Sequence, residues 1–73
     1  MTSKEMWEEL GYGVRRTNKE IIVENDLEKY TFDFELEMMF IDNKAELTHH
    51  LYLTKYVSKA IQKTIEELGW RYK

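Results

Sequence analysis

Apolar and polar residues alternate from Tyr30 to Ile41, and this alternation is the strongest secondary-structure signal in the chain. One side of the alternation is apolar, with Phe32, Phe34, Leu36, Met38 and Phe40. The other side carries Asp33, Glu35, Glu37 and Met39. Because successive side chains of a strand point to opposite faces, the pattern predicts one long strand with one face in water.

A second alternating segment, Ala45–Leu53, follows the residues Asp42–Lys44, which have turn-forming character. Together the two segments predict a hairpin. Upstream, the stretch Lys19–Glu24 contains a β-branched strand seed at Ile21, Ile22 and Val23. The shorter stretch Tyr12–Arg16 carries two arginines, which suits a strand at the edge of a sheet.

The chain begins with the signature of a short helix. Thr2 and Glu5 stand at capping-box spacing, and Gly11 offers a left-handed residue at which the helix can end. The apolar residues in between share one face, namely Met6, Trp7 and Leu10. A helix of about two turns is not stable alone, so this face must dock on the rest of the protein.

A longer helix is predicted near the other end of the chain. Thr54 is its expected N-cap, Gly69 its expected C′ residue, and Trp70 follows where it can pack back on Ile65. One stripe is apolar at helical spacing and contains Val57, Ala60, Ile61, Thr64, Ile65 and Leu68.

These elements predict an α+β fold: an antiparallel meander of three or four strands, with the C-terminal helix on one face and the N-terminal helix at an end. The connections are short, which favours antiparallel hairpins over crossovers. With 73 residues, the chain is expected to form a single small domain over residues 1–73. Such a chain buries a small core, which leaves little room for a deep catalytic pocket.

Composition narrows the classes of function. Hydrophobic residues make up 42% of the chain and aromatic residues 14%, which favours an ordered protein. The absence of cysteine excludes a disulfide framework, a thiol nucleophile and a thiolate zinc site. There is no long apolar run, and Met1 is followed by polar residues, so we expect a cytoplasmic protein without a membrane span. We further expect no enzymatic activity, no cofactor and no small-molecule substrate.

Two groups of residues have metal-binding chemistry but favour structural interpretations. His49 and His50 are adjacent, so on a strand they point to opposite faces and cannot chelate one metal ion. Asp33, Glu35 and Glu37 would lie about 6.8 Å apart, twice the strand rise, on the predicted long strand. Their functional interpretation is a cation site or a mimic of nucleic-acid phosphates, and their favoured interpretation is a solvated face.

A basic stripe raises the alternative of nucleic-acid binding. Lys55, Lys59 and Lys63 recur at every fourth residue of the predicted C-terminal helix, and Arg71 follows its end. The net charge is −3 and the isoelectric point about 5.3, which disfavours a nucleic-acid partner. Binding to nucleic acid through these four residues is therefore the second hypothesis.

The first hypothesis is a small module that binds protein, either a partner or a second copy of itself. The face opposite the predicted core carries apolar residues beside its carboxylates, namely Ile22, Met39, Ile41 and Tyr52. Exposed apolar patches on small domains tend to mark binding sites. An alternative stays open, in which Met39 and Ile41 pack under the N-terminal helix.

The two helical segments end in similar motifs, EELGY at Glu8–Tyr12 and EELGW at Glu66–Trp70, and the second helix begins near LTK at Leu53–Lys55. With these motifs, residues 6–12 and 53–70 resemble small hypothetical proteins of Gram-positive phages and prophages. The resemblance covers about a third of the chain. It implies a phage-encoded accessory protein and assigns no catalytic residue.

Overall fold

The computed structural model describes residues 1–43 and 55–70. In chain order the elements are α1 (Ser3–Glu9), β1 (Gly13–Arg16), β2 (Glu20–Glu24), β3 (Glu28–Asp33), β4 (Met38–Asn43) and α2 (Lys55–Leu68). The four strands form one antiparallel sheet in the order β1-β2-β3-β4, and both helices contribute to a core on one of its faces. The predicted α+β meander is confirmed. The predicted strand Ala45–Leu53 and the predicted N-cap Thr54 lie outside the described residues.

The core is centred on Trp7 of α1, whose side chain is 1% exposed. Its indole contacts the rings of Tyr12 and Tyr30, at centroid distances of 5.1 and 5.3 Å. The buried cluster also contains Ile21, Val23, Phe32, Val57, Ala60 and Ile61. Burial of this apolar surface by both helices and one sheet face is the main stabilising contribution to the fold.

The long strand predicted from Tyr30 to Ile41 is wrong, because a turn at residues 34–37 divides it into β3 and β4. The carboxylate of Asp33 accepts a hydrogen bond from the Leu36 backbone N–H at 2.9 Å. Glu37 then adopts a left-handed conformation, with φ of 51°. An aspartate at the start of a turn favours this geometry because its side chain satisfies a backbone donor inside the turn.

The turn also changes which residues of β4 face the helices. Phe32 pairs directly with Met39, and directly paired residues lie on the same face of an antiparallel sheet. Odd-numbered residues of β4 therefore face the core, and Met38 and Phe40 face the other way. The predicted apolar side is correct for Phe32 and wrong for Met38 and Phe40.

β1 and β2 lie where the sequence predicts them. β2 contains the seed at residues 21–23, and β1 is an edge strand, as predicted. The predicted turn at Asp42–Lys44 is wrong for its first two residues, because Asp42 pairs with Lys29 and Asn43 pairs with Glu28 in the ladder of β3 and β4. Strand pairing thus continues further along the chain than the turn-forming residues indicate.

α1 is fixed at its beginning by two carboxylates. Thr2 and Glu5 form the predicted capping box, and the hydrogen bonds from Thr2 lower the pKa of the Glu5 carboxyl. Ser3 donates from its hydroxyl and from its backbone N–H to the carboxylate of Glu67 on α2. These bonds, the hydroxyl bond first, lower the pKa of Glu67 and join the two helices.

α2 ends as predicted. Gly69 has φ of 74°, a conformation that costs glycine little. Its backbone N–H donates to the carbonyl of Glu66 at 3.1 Å, and the Trp70 N–H donates to the carbonyl of Ile65 at 3.2 Å. This pair of bonds is the Schellman motif, and Trp70 then packs against the core beside Phe32.

Candidate protein-binding surface

One face of the sheet lies away from the core and carries apolar side chains of its own. The central row across the four strands consists of Arg15, Ile22, Thr31 and Phe40. Met38 lies on the same face two residues before Phe40, and their side chains are 51% and 43% exposed. The adjoining turn adds Leu36, which is 56% exposed. Ile22 on this face is buried. We call the three exposed residues Leu36, Met38 and Phe40 the outer patch.

The structure does not bring the four predicted protein-binding residues together. Ile22 belongs to the outer face and is buried. Met39 and Ile41 lie on the opposite face, where Met39 packs against the core and Ile41 stays partly exposed. Tyr52 lies outside the described residues. The prediction that Met39 and Ile41 belong to this surface is therefore wrong.

Met38, Phe40 and Leu36 are the candidate residues that the hydrophobic pattern assigned to the core. The unbroken alternation concealed the turn, since a strand and a hairpin give the same polarity pattern when every second turn residue is apolar. Asp33, three residues before Leu36, was the available signal, because aspartate often begins a turn.

Carboxylates border the outer patch at one end. Glu20 pairs with Asp33, which in turn pairs with Met38. Glu35 and Glu37 lie in the turn and are exposed. We call Glu20, Asp33, Glu35 and Glu37 the acidic border. The predicted row of three carboxylates on one strand is wrong, because only Asp33 belongs to a strand.

Two cationic residues lie near the acidic border. The backbone carbonyl of Lys19 accepts a hydrogen bond from the Phe34 N–H at 3.0 Å, which holds the β1–β2 turn beside the β3–β4 turn. The Arg16 guanidinium lies 5.3 Å from the centroid of the Phe34 ring. This cation–π contact keeps Arg16 with the core side of the sheet, on the face opposite Arg15.

The basic stripe of the nucleic-acid hypothesis runs along α2. Lys55 and Lys59 are exposed and Lys63 is partly buried. Lys63 lies near enough to the Glu67 carboxylate to contribute to lowering its pKa. Arg71 lies outside the described residues. The stripe is therefore present over two turns of the helix and meets an acidic residue at its end.

A partly buried polar cluster joins two tyrosines of the core to Glu28. The Tyr12 hydroxyl donates to Glu28 Oε1 at 3.2 Å, and the Tyr30 hydroxyl donates to Glu28 Oε2. Desolvation, followed by the neighbouring Glu28 carboxylate, raises the pKa of the Tyr12 phenol. Desolvation and the hydrogen bond to Glu28 raise the pKa of Tyr30. Both phenols keep their protons at neutral pH and serve as donors to Glu28.

A recess of about 140 Å³ lies between α1, the end of α2 and the β1 edge. Trp7 and Thr64 are on its wall, and the Trp7 indole N–H donates to the Thr64 hydroxyl oxygen at 2.9 Å. Within residues 1–43 and 55–70, no buried side-chain donor or acceptor lacks a partner. The recess therefore presents no unused buried polar group to a ligand.

The histidines His49 and His50 lie outside the described residues, so their predicted failure to bind metal stays a prediction. In the part of the chain that the structure describes, no group of three acidic, histidine or cysteine side chains is placed to hold a metal ion. Neither described helix combines the length and apolar character needed to cross a membrane.

No protein family, curated protein or solved structure matches the chain in comparisons with known proteins. The resemblance to small phage proteins therefore stays a prediction, and the candidate surface is identified by its geometry alone.

Proposed function

We propose that the protein is a small, non-enzymatic interaction module that binds another protein through the outer patch. One observation carries this proposal: Phe40 and Met38 lie together and half exposed on the sheet face that faces away from the core. Aromatic residues and methionine are enriched where protein surfaces meet, and charged residues are depleted at the centres of such surfaces. In the setting implied by the resemblance, the module would be a cytoplasmic accessory protein of a phage.

Packing of the core does not require large apolar side chains at positions 38 and 40. Core packing uses the opposite face, through Tyr30, Phe32 and Met39. Threonine also suits a strand, so pairing in β4 does not itself require a large apolar side chain at position 38 or 40. Exposed large apolar groups promote aggregation. Their placement side by side is therefore better explained by a partner than by stability.

The test compares partner capture by the natural chain with capture by Phe40→Ser. The matched control is Tyr56→Ser, because Tyr56 is an aromatic residue on α2 that is 63% exposed. A protein retained by the natural chain and by the control is then purified and titrated by calorimetry. We expect Phe40→Ser to weaken binding at least about tenfold, as truncation of a central aromatic anchor does, and Tyr56→Ser to leave it unchanged.

Two results would contradict the proposal. One is a purified partner that binds Phe40→Ser as tightly as it binds the natural chain. The other is material that is sensitive to nuclease and is lost from the double variant Lys55→Gln with Lys59→Gln. That second result would instead support the nucleic-acid hypothesis, whose binding should also weaken steeply with salt.

A further inference from the structure

We infer that the partner presents lysine or arginine side chains beside the apolar groups that cover the outer patch. This inference rests on the proposed function, because it concerns the occupant of the same surface. The apolar patch is the site, and the charges around it decide which occupant fits.

The turn end of the patch carries an excess of negative charge. The acidic border supplies four carboxylates, and Asp33 pairs directly with Met38 of the patch. The neighbouring basic residues are Lys19 in the β1–β2 turn and Arg16, which stacks on the Phe34 ring. The described residues at this end are therefore net negative. A basic side chain placed here gains favourable electrostatic energy.

The opposite end of the same face offers an acidic partner little positive charge. Lys29 lies between Glu24 and Asp42 in the strand register, so its charge is surrounded by two carboxylates. Arg15 of the edge strand is the remaining cation of the described outer face. An acidic partner would therefore meet carboxylates at both ends of the patch.

The same charges make a second copy of the chain a poor occupant. Stacking two sheets about a twofold axis parallel to the strands brings the two acidic borders together. An axis across the strands places each border over Glu24, Lys29 and Asp42, a row that is also net negative. Like charges oppose both arrangements. The charges therefore favour a different, basic chain over a homodimer.

The experiment uses two amphipathic peptides of about twelve residues that share the same leucine and phenylalanine positions. One peptide carries four lysines, and the other carries four glutamates at the same positions. Each is titrated into the isotope-labelled full chain at low salt while backbone amide signals are followed by NMR. We expect the lysine peptide to shift the signals of Met38 and Phe40, and the glutamate peptide to leave them unchanged.

Charge variants test whether the acidic border itself, and not the net charge of the protein, attracts the lysine peptide. Glu35→Gln with Glu37→Gln should weaken binding of the lysine peptide about fivefold, since each exposed ion pair contributes little. The matched control is Glu8→Gln with Glu9→Gln, which removes the same charge from exposed positions of α1 and should have no effect. Raising the salt concentration to about 0.5 M should weaken binding of the natural chain and reduce the difference between the variants.

Phe40→Ser distinguishes failure of this inference from failure of the proposed function. If both peptides bind equally and Phe40→Ser abolishes both, the outer patch is a binding site and the basic partner is wrong. If neither peptide binds, or the glutamate peptide binds more tightly, the inference is also overturned. If Phe40→Ser changes neither titration while a peptide binds, the proposed function fails as well. A natural chain that dimerises through Phe40 in sedimentation experiments would likewise overturn the inference.

Discussion

At the scale of single residues, Thr64 joins the two helices with one hydroxyl group. Its oxygen accepts from the Trp7 indole N–H at 2.9 Å, and its own proton is donated to the Ala60 carbonyl at 2.8 Å. Thr64 is 1% exposed, so neither bond has water as a substitute. The hydrophobic stripe predicted Thr64 as a core position, but its partner could not be predicted, because the sequence does not show which helix residue meets the indole.

We expect Thr64→Val to lower the free energy of unfolding by about 1–3 kcal/mol, because valine keeps the shape and leaves the Trp7 N–H buried without an acceptor. Thr64→Ser keeps the hydroxyl group and loses one methyl group, so it should cost about 1 kcal/mol. Urea denaturation followed by tryptophan fluorescence measures both values. Equal stability of Thr64→Val and the natural chain would contradict the importance of this hydrogen bond.

Because the pKa of Tyr30 is raised, we expect the stability of the protein to depend on pH in the alkaline range. The folded protein holds the phenolic proton above the ordinary pKa of about 10, whereas the unfolded chain releases it there. The stabilisation is therefore complete below about pH 10 and is lost as the pH rises further. We expect Tyr30→Phe to be less stable than the natural chain at pH 8 but to lose less stability between pH 9 and pH 10.5. Parallel losses in urea titrations of the two chains would refute this.

At the scale of elements, the helix ends were predictable and the β3–β4 turn was not. Capping depends on residue types at fixed spacings, so Thr2, Glu5 and Gly69 identified their own positions. The turn depends on a bond between the Asp33 side chain and the Leu36 N–H, and on a left-handed glutamate. Glutamate is uncommon in that conformation, so Glu37 gave no signal that the chain reverses there.

We expect Glu37→Gly to raise the free energy of unfolding by about 0.5 kcal/mol. Glycine adopts a φ of 51° without the steric strain that a Cβ atom causes there. We expect the relief of this strain to exceed the larger conformational entropy that glycine loses on folding. The matched control is Glu35→Gly in the same turn, which removes the same charge where no positive φ occurs and should be destabilising. Thermal unfolding followed by circular dichroism compares the two variants. A destabilised Glu37→Gly would show that the left-handed conformation at this position is not costly.

At the scale of the whole molecule, the α+β class and the use of one sheet face for the core followed from short connections and amphipathic segments. The face assignment of β4 did not follow. A four-residue turn places Phe32 opposite Met39, so even residues face the core in β3 and odd residues do so in β4. Alternation reports the period of a strand and not its phase after a turn. The candidate surface depended on that phase, which explains why Met39 and Ile41 were assigned to the outer face although they lie on the core face.

Two substitutions one residue apart test this phase directly. Met39 packs against the core, so Met39→Lys should bury a charge and lower the free energy of unfolding by about 2 kcal/mol or more. For a chain of this length that corresponds to a melting temperature about 10 °C lower. Met38 is 51% exposed on the outer face, so Met38→Lys should leave the melting temperature within about 3 °C of the natural value. Both variants add the same charge to the same strand, so a difference in overall charge cannot explain a difference in their stability.

If Met38→Lys unfolds the protein and Met39→Lys does not, the long continuous strand is the correct description, and the outer patch does not exist. If the expected order is observed, Met38→Lys also provides a folded chain in which loss of partner binding can be attributed to the surface.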